Sequence, residues 1–370
     1  MIVTPEHIGQ LMMIGLAGPR LTREERLFLK IVQPAGVIFF KRNIESPRQL
    51  RALAQAVAAE LRSQSPLLGI DQEGGRVARL NAPFTAFPGN DFLGRCCRAT
   101  GKADLAEAQA RAIAAELKSV GVNMNFAPVA DVDSNPRNPI IGTRSFSSDP
   151  AVAARLVAAS VRGYRAAGLV SCAKHFPGHG DTAGDSHRVL PRVRASRATL
   201  FARELVPFRA AIRAGVPAIM TAHVVYPALD SKRPATLSAA VLQKLLRGRL
   251  GFKGVVVSDD LEMSAIAGHG EVRQAAVAAI EAGVDLLLVC KSLDRCWEVY
   301  EELGRALRGQ GVAQRRMGEA FGRIQALKRV CVRPRQGRAP HEVWKKGWPR
   351  HRTLARRITE LGKQKFFESR

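Results

Sequence analysis

The chain has 370 residues, 46% of them hydrophobic and 6% aromatic, with 57 Lys and Arg against 32 Asp and Glu for a formal charge of +25. That length supports one large core, and an α/β barrel would use it almost fully. No run of about 18 uncharged apolar residues reads as a membrane span, and Glu6 stands where a secretory leader would be basic, so an unexported protein is expected. Six scattered cysteines (Cys96, Cys97, Cys172, Cys290, Cys296, Cys331) form no C-x-x-C pair and fit reduced thiols in a cytoplasm.

In chain order, short apolar runs predict strands at Gly36 to Phe40, Pro66 to Ile70, Val122 to Pro128, Leu169 to Ala173, Pro217 to Ala222, Gly254 to Val257 and Asp285 to Val289. Helical stripes lie between them. Ala106, Ala110, Ile113, Leu117 and Val120 form one, and Val152, Leu156, Ala159 and Gly163 another, which Asp149 caps ahead of a first-turn Pro150. Further helices are expected near 200–214, 239–250, 271–282 and 293–307. Apolar strands alternating with helices imply a parallel sheet covered on both faces. Seven or eight such units without a clear linker favour a single (β/α)8 TIM-type barrel, regular or not, over a doubly wound sheet. The barrel is expected over residues 1–330, followed by a basic C-terminal extension at 331–370.

The charge is uneven. From Lys328 to Arg370 fourteen Lys and Arg face three Glu, so about +11 of the total sits in the last forty-three residues. A basic tail containing Pro and Gly reads as a solvated extension. Leu354, Ile358 and Leu361 would line one side of a short amphipathic helix, able to attract an anionic surface or to dock on the core.

Barrel chemistry belongs at the C-terminal strand ends. Five polar clusters sit there: Asp71-Gln72-Glu73-Gly74-Gly75-Arg76 after Ile70, Asp131-Val132-Asp133 after Ala130, Lys174-His175 after Ala173, His223 after Ala222, and Ser258-Asp259-Asp260 after Val257. Strand alternation points only one of Asp259 and Asp260 inward, as nucleophile, base or metal ligand, and leaves the other to cap a helix. The segment Lys174 to His187 packs three His, two Asp and three Gly into fourteen positions. Within it, Asp185 and His187 form a plausible acid/base pair, the carboxylate fixing the imidazole tautomer. His175, His179, Asp181, Asp185 and His187 are also metal-ligand types, but they lie in a segment rich in Gly and Pro rather than on one helix face as in a zincin site, so neither metal nor other cofactor is expected. Arg76, Arg79, Arg144 and Lys174 are candidate donors to ligand hydroxyls or carboxylates.

Four motifs resemble glycoside hydrolase family 3, most closely its single-domain bacterial β-N-acetylhexosaminidases of cell-wall recycling, the NagZ type. They are Gly69-Ile70-Asp71-Gln72-Glu73-Gly74-Gly75-Arg76-Val77, Asn138 to Phe146, Lys174 to His187, and Leu245 through Gly251-Phe252-Lys253-Gly254 to Asp259. The resemblance implies a retaining double displacement with Asp259 as nucleophile, His187 as general acid/base and Asp185 as its partner. It also implies that Asp71, Arg79, Arg144, Lys174 and His175 hold a terminal N-acetylglucosamine. Larger family members draw the acid/base from a second domain, a role that the Asp-Ser-His loop fills here. Glu262 departs from the small or polar residue usual two positions after Asp260, and the tail beyond about Val330 matches nothing in the family.

The implied protein is a cytoplasmic, exo-acting monomer. It cleaves GlcNAc-1,6-anhydroMurNAc and its peptide-bearing forms, with no obligatory nucleic-acid or membrane partner. A histidine acid/base titrates near pH 6.5 and needs no burial to work at neutral pH. It also admits an anionic acceptor, which keeps a phosphorylase as an alternative. A basic RNA-associated protein and a metal-dependent hydrolase are the remaining alternatives.

Overall fold

Among the described residues ten short strands organise the fold, eight of them in one closed barrel. A computed structural model describes residues 4–61, 65–183, 190–267, 271–309, 311–330, 344 and 347–364. The strands are β1 (Met12–Gly15), β2 (Gly36–Phe39), β3 (Leu67–Ile70), β4 (Met124–Asn125), β5 (Val170–Phe176), β6 (Ala218–Thr221), β7 (Val225–Tyr226), β8 (Asp230–Pro234), β9 (Val255–Asp260) and β10 (Leu286–Val289). Around the barrel the order is β1-β10-β9-β6-β5-β4-β3-β2, every pair parallel, so the expected (β/α)8 barrel is borne out. The strand interiors are apolar and buried on both faces, which is why they read as continuous hydrophobic runs.

The differences have local causes. β1 lay outside the seven expected strands because only Met12 to Ile14 mark it. β4 keeps two residues of the expected Val122–Pro128, since Pro128 cannot donate to the ladder. β7 and β8 form an antiparallel pair beside the barrel that the apolar pattern did not show, β8 being largely exposed and polar.

Helix Pro150–Ala166 starts as expected, with Asp149 accepting from Ala151 N at 2.7 Å. Gly163 lets it approach helix Asp104–Ser119 closely, because a Cβ there would stand 2.4 Å from the Glu107 carbonyl oxygen. Among the described residues no helix is long and apolar enough to cross a membrane.

The described part of the extension is not a solvated tail. Helix Pro349–Lys363 packs on helices Asn90–Thr100 and Asp104–Ser119. Ile358 is fully buried, its carbonyl accepts from Cys96 Sγ at 3.4 Å, and Gly362 faces the Phe92 ring. His351 Nδ1 lies 2.8 Å from Glu116 Oε1, while Glu116 Oε2 accepts from Thr85 N at 2.9 Å. The amphipathic stripe thus found its apolar partner on the barrel itself. Ile358→Ala should lower the unfolding free energy in urea by about 2–5 kcal/mol, the cost of a buried cavity. Unchanged stability would mean that this docking contributes nothing.

Candidate active site

The catalytic end of the barrel is shaped by two register shifts. Between Ala173 and Phe176, β5 advances three residues while β6 advances two, from Ile219 to Thr221. Between Val257 and Asp260, β9 advances three while β10 advances two, from Leu286 to Leu288. An extra residue breaks the inward–outward alternation. Consecutive side chains therefore share one side: Lys174 with His175, and Asp259 with Asp260, all line the same cavity. Both aspartates border the cavity, and the Asp260 carboxylate accepts from Glu262 N at 3.1 Å, the capping role expected for one of the pair.

That cavity has a volume of about 290 Å³ and brings together Asp71, Arg79, Arg144, Lys174, His175 and Asp259. Six of the eight expected site residues thus meet at one place. The other two, Asp185 and His187, lie outside the described residues.

A buried ion cluster holds one wall. Lys174 Nζ, on a side chain 3% exposed, lies 2.6 Å from Asp71 Oδ1 and 2.7 Å from Glu73 Oε1. Glu73 in turn accepts two hydrogen bonds from Arg144, at 2.9 Å from Nε and 2.8 Å from Nη2. Arg79 Nη2 stands 3.4 Å from Asp71 Oδ2. Burial alone would raise the Glu73 carboxyl, but Lys174 and Arg144 hold it well below the usual carboxylate range. Burial likewise opposes charge on Lys174, and Asp71 and Glu73 reverse the sign and raise it. Glu73 was not singled out beforehand. Its spacing of two from Asp71, which puts both on one side of an extended segment, was the available signal.

Asp131 organises the adjoining histidines. Its Oδ2 lies 2.7 Å from His175 Nδ1, and its Oδ1 accepts from the backbone N–H groups of His175 at 3.1 Å and His179 at 2.7 Å. Burial raises this carboxyl and the two histidines outweigh it, leaving it lowered. An ionised Asp131 places the proton on His175 Nδ1 and leaves Nε2 as the nitrogen free to meet a ligand. His179, pulled down to about 4 by burial and by His175, is neutral at pH 7.

On the opposite wall, burial pushes Asp259 up, but His223, His175, the N–H of Asp260 and Lys174 outweigh it and lower its pKa. Asp259 is therefore an ionised carboxylate at neutral pH. His223 sits between Thr236 Oγ1 at 2.7 Å and the Asp260 carbonyl at 3.0 Å, steadying the strand end. Asp260 is the contrasting neighbour: burial, with Glu262 and Asp259 adding to it, raises its carboxyl to about 6. Glu262 does not enter the cavity wall; its carboxylate accepts from the N–H groups of Lys291 and Ser292 and ties the turn after β9 to that after β10. Arg76, also a candidate donor, is used elsewhere, donating to the carbonyls of Pro139, Ile140 and Ile141.

Residues 3–327 match the family model for the glycosyl hydrolase family 3 N-terminal domain. The chain belongs to glycoside hydrolase family 3. A beta-hexosaminidase of Methylococcus capsulatus is 42% identical over 316 residues, covering 84% of this chain and 91% of that one. Among solved structures, a family 3 beta-N-acetylglucosaminidase from Paenibacillus sp. superposes with a TM-score of 0.89 at 40% identity, over 98% of this chain and 69% of that one. NagZ from Neisseria gonorrhoeae, in complex with N-trifluoroacetyl-D-glucosamine, gives a TM-score of 0.76 at 33% identity over 95% and 98% of the two chains. The family 3 resemblance read from four motifs is borne out. The family model ends at residue 327, but the Paenibacillus superposition spans 98% of this chain and so reaches into the extension, which therefore has a counterpart in the family, contrary to the expectation from sequence.

Two outcomes follow for this family 3 site. Lys174→Met leaves Glu73 buried with one cationic partner in place of two and should cost about 3–5 kcal/mol of stability in urea unfolding; a change under about 1 kcal/mol would contradict the charge cluster. Asp260 carries the opposite sign. With its folded pKa raised from 3.8 to about 6, the native protein keeps a proton that the unfolded chain loses, so stability falls as pH rises through that window. Across it, the melting temperature of the wild type should drop relative to Asp260→Asn, and parallel curves would refute the assignment.

Proposed function

We propose that this cavity binds one terminal N-acetylglucosamine and removes it by a retaining double displacement. The observation that carries the reading is that an ionised Asp259 shares a space of about 290 Å³, near the small end of ligand sites, with buried Lys174 and His175 and half-buried Asp71, Arg79 and Arg144. A cavity of that size, lined by charged side chains, suits exo action on one ring. The chain is on this reading a β-N-acetylhexosaminidase, as its family 3 relatives are named.

In the first step an Asp259 oxygen attacks the anomeric carbon and the bond from that carbon to the leaving oxygen breaks, while protonated His187 gives its proton to the leaving oxygen. In the second step neutral His187 takes a proton from water, the water oxygen bonds to the anomeric carbon, and Asp259 departs as a carboxylate. The stem that leads to His187 supports this role. Asn138 Nδ2 donates to the carbonyls of His179 and Gly180, Asn135 Nδ2 donates to that of Thr182, and Arg203 pairs with Asp181 at 2.6 Å. The chain thus leaves a pinned segment shortly before Asp185, the partner assigned to His187.

The natural substrate on this reading is GlcNAc-1,6-anhydroMurNAc with or without its peptide, processed in the cytoplasm by a monomer during cell-wall recycling. Residues 1–330 carry the reaction and residues 331–370 extend it. NMR of the first product from an aryl β-N-acetylglucosaminide should show the free β-anomer, with and without phosphate. An α-anomer, or a sugar 1-phosphate as main product, would reject the proposal. His187→Ala should lower kcat/KM by about 10²–10⁴ for poor leaving groups and by much less for good ones. Chelator should leave the wild-type rate unchanged.

A further inference from the structure

The catalytic cavity uses little of the chain's +25, and the positive charge has a second focus. Helices Pro150–Ala166 and Leu205–Arg213 enclose a groove of about 510 Å³ on the outer wall of the barrel. Arg155, Arg162, Arg165 and Arg213 line it, all exposed, and small residues such as Ala158 and Ala210 form its floor. The first three arginines stand at i, i+7 and i+10 of one helix and so share a face, spread over about 15 Å of axis. The groove runs along the outer wall from Arg155, near the start of its helix, to Arg165 at that helix's end, and shares no residue with the cavity.

These arginines are weakly neutralised. Among the described residues only Arg162 pairs with a carboxylate, Glu107 at 3.2 Å; Arg155 and Arg165 donate to the carbonyls of Gly101 and Ala214. The carboxylates Asp104 and Asp149 stand near Cys97 on the neighbouring helix, so the net charge of this flank comes from the four arginines. The Cys97 thiol is pushed up by burial and pulled down by the neighbouring Arg155 and Arg98, and the Cys96 thiol beside it, also raised by burial, is pulled down by Arg357.

We propose that this arginine-lined groove is a second binding site, for the phosphate backbone of a nucleic acid. Planar guanidinium groups suit phosphate oxygens, and about 15 Å spans roughly four phosphates of one duplex strand. No aromatic side chain lines the groove to stack on bases, so recognition is independent of sequence. A bilayer is disfavoured because, among the described residues, the exposed large apolar side chains Leu27, Ile31, Val312 and Val330 lie elsewhere and none lines the groove to enter lipid.

The test is fluorescence anisotropy of the full chain with labelled single-stranded RNA and duplex DNA of about 20 nucleotides, alongside phosphatidylglycerol vesicles, across a salt series. The wild type should bind nucleic acid with an affinity that falls steeply with salt. The fourfold variant Arg155→Ala, Arg162→Ala, Arg165→Ala, Arg213→Ala should bind at least about tenfold more weakly at low salt and lower the logarithmic salt slope by about 3, from a loss of about 0.7–0.9 per contact. Arg155→Glu with Arg213→Glu serves as a second variant should the first fold poorly. Glycoside hydrolysis should be unaffected in both, which separates this site from the catalytic one. Wild-type binding to vesicles alone, no binding at all, or unchanged affinity and slope in the variants would each overturn the proposal.

Discussion

The buried ammonium of Lys174 is the constraint around which the catalytic face is arranged. An unpaired charge at that depth is costly, so Asp71 and Glu73 must converge on it from the segment after β3, and Glu73 must in turn be met by Arg144 from the loop after β4. Three distant stretches of chain are thereby fixed to one another. The cluster stabilises little beyond what a well-packed apolar core would, and its value lies in presenting rigid donors and acceptors to one face of a small cavity.

The same economy of position recurs at the strand ends. A regular strand offers every second side chain to the barrel mouth, whereas one extra residue in β5 and another in β9 let two consecutive side chains take part. Lys174 joins the ion cluster while His175 faces the ligand space, held by Asp131. Asp259 stands as the carboxylate of the site beside Asp260, whose proton is retained to higher pH. Two adjacent carboxyls are thus driven apart in acidity by their surroundings, which leaves Asp259 the more acidic of the two.

Much of this was legible in the sequence because it rests on local patterns. Apolar runs between helical stripes gave seven barrel strands, and polar clusters following those runs located the mouth. What escaped depends on tertiary context. Glu73 and Asp131 look like ordinary polar residues after a strand until Lys174 and His175 arrive from across the barrel to pair with them. That Asp259 and Asp260 both border the cavity depends on a register shift visible only when β9 is laid beside β10. Ile358 in the basic tail carried a stripe without a partner, since helices Asn90–Thr100 and Asp104–Ser119 lie more than two hundred residues earlier in the chain.

The central claim is that Asp259 bonds to the sugar. Its depressed pKa, its place opposite the clamp and its position in a family 3 motif converge on that role. Incubation with a fluorinated N-acetylglucosaminide that slows the second step, followed by proteolysis and mass spectrometry, tests it directly. The account predicts one sugar adduct, on Asp259; an adduct on Asp260, Glu73 or any other residue would contradict it.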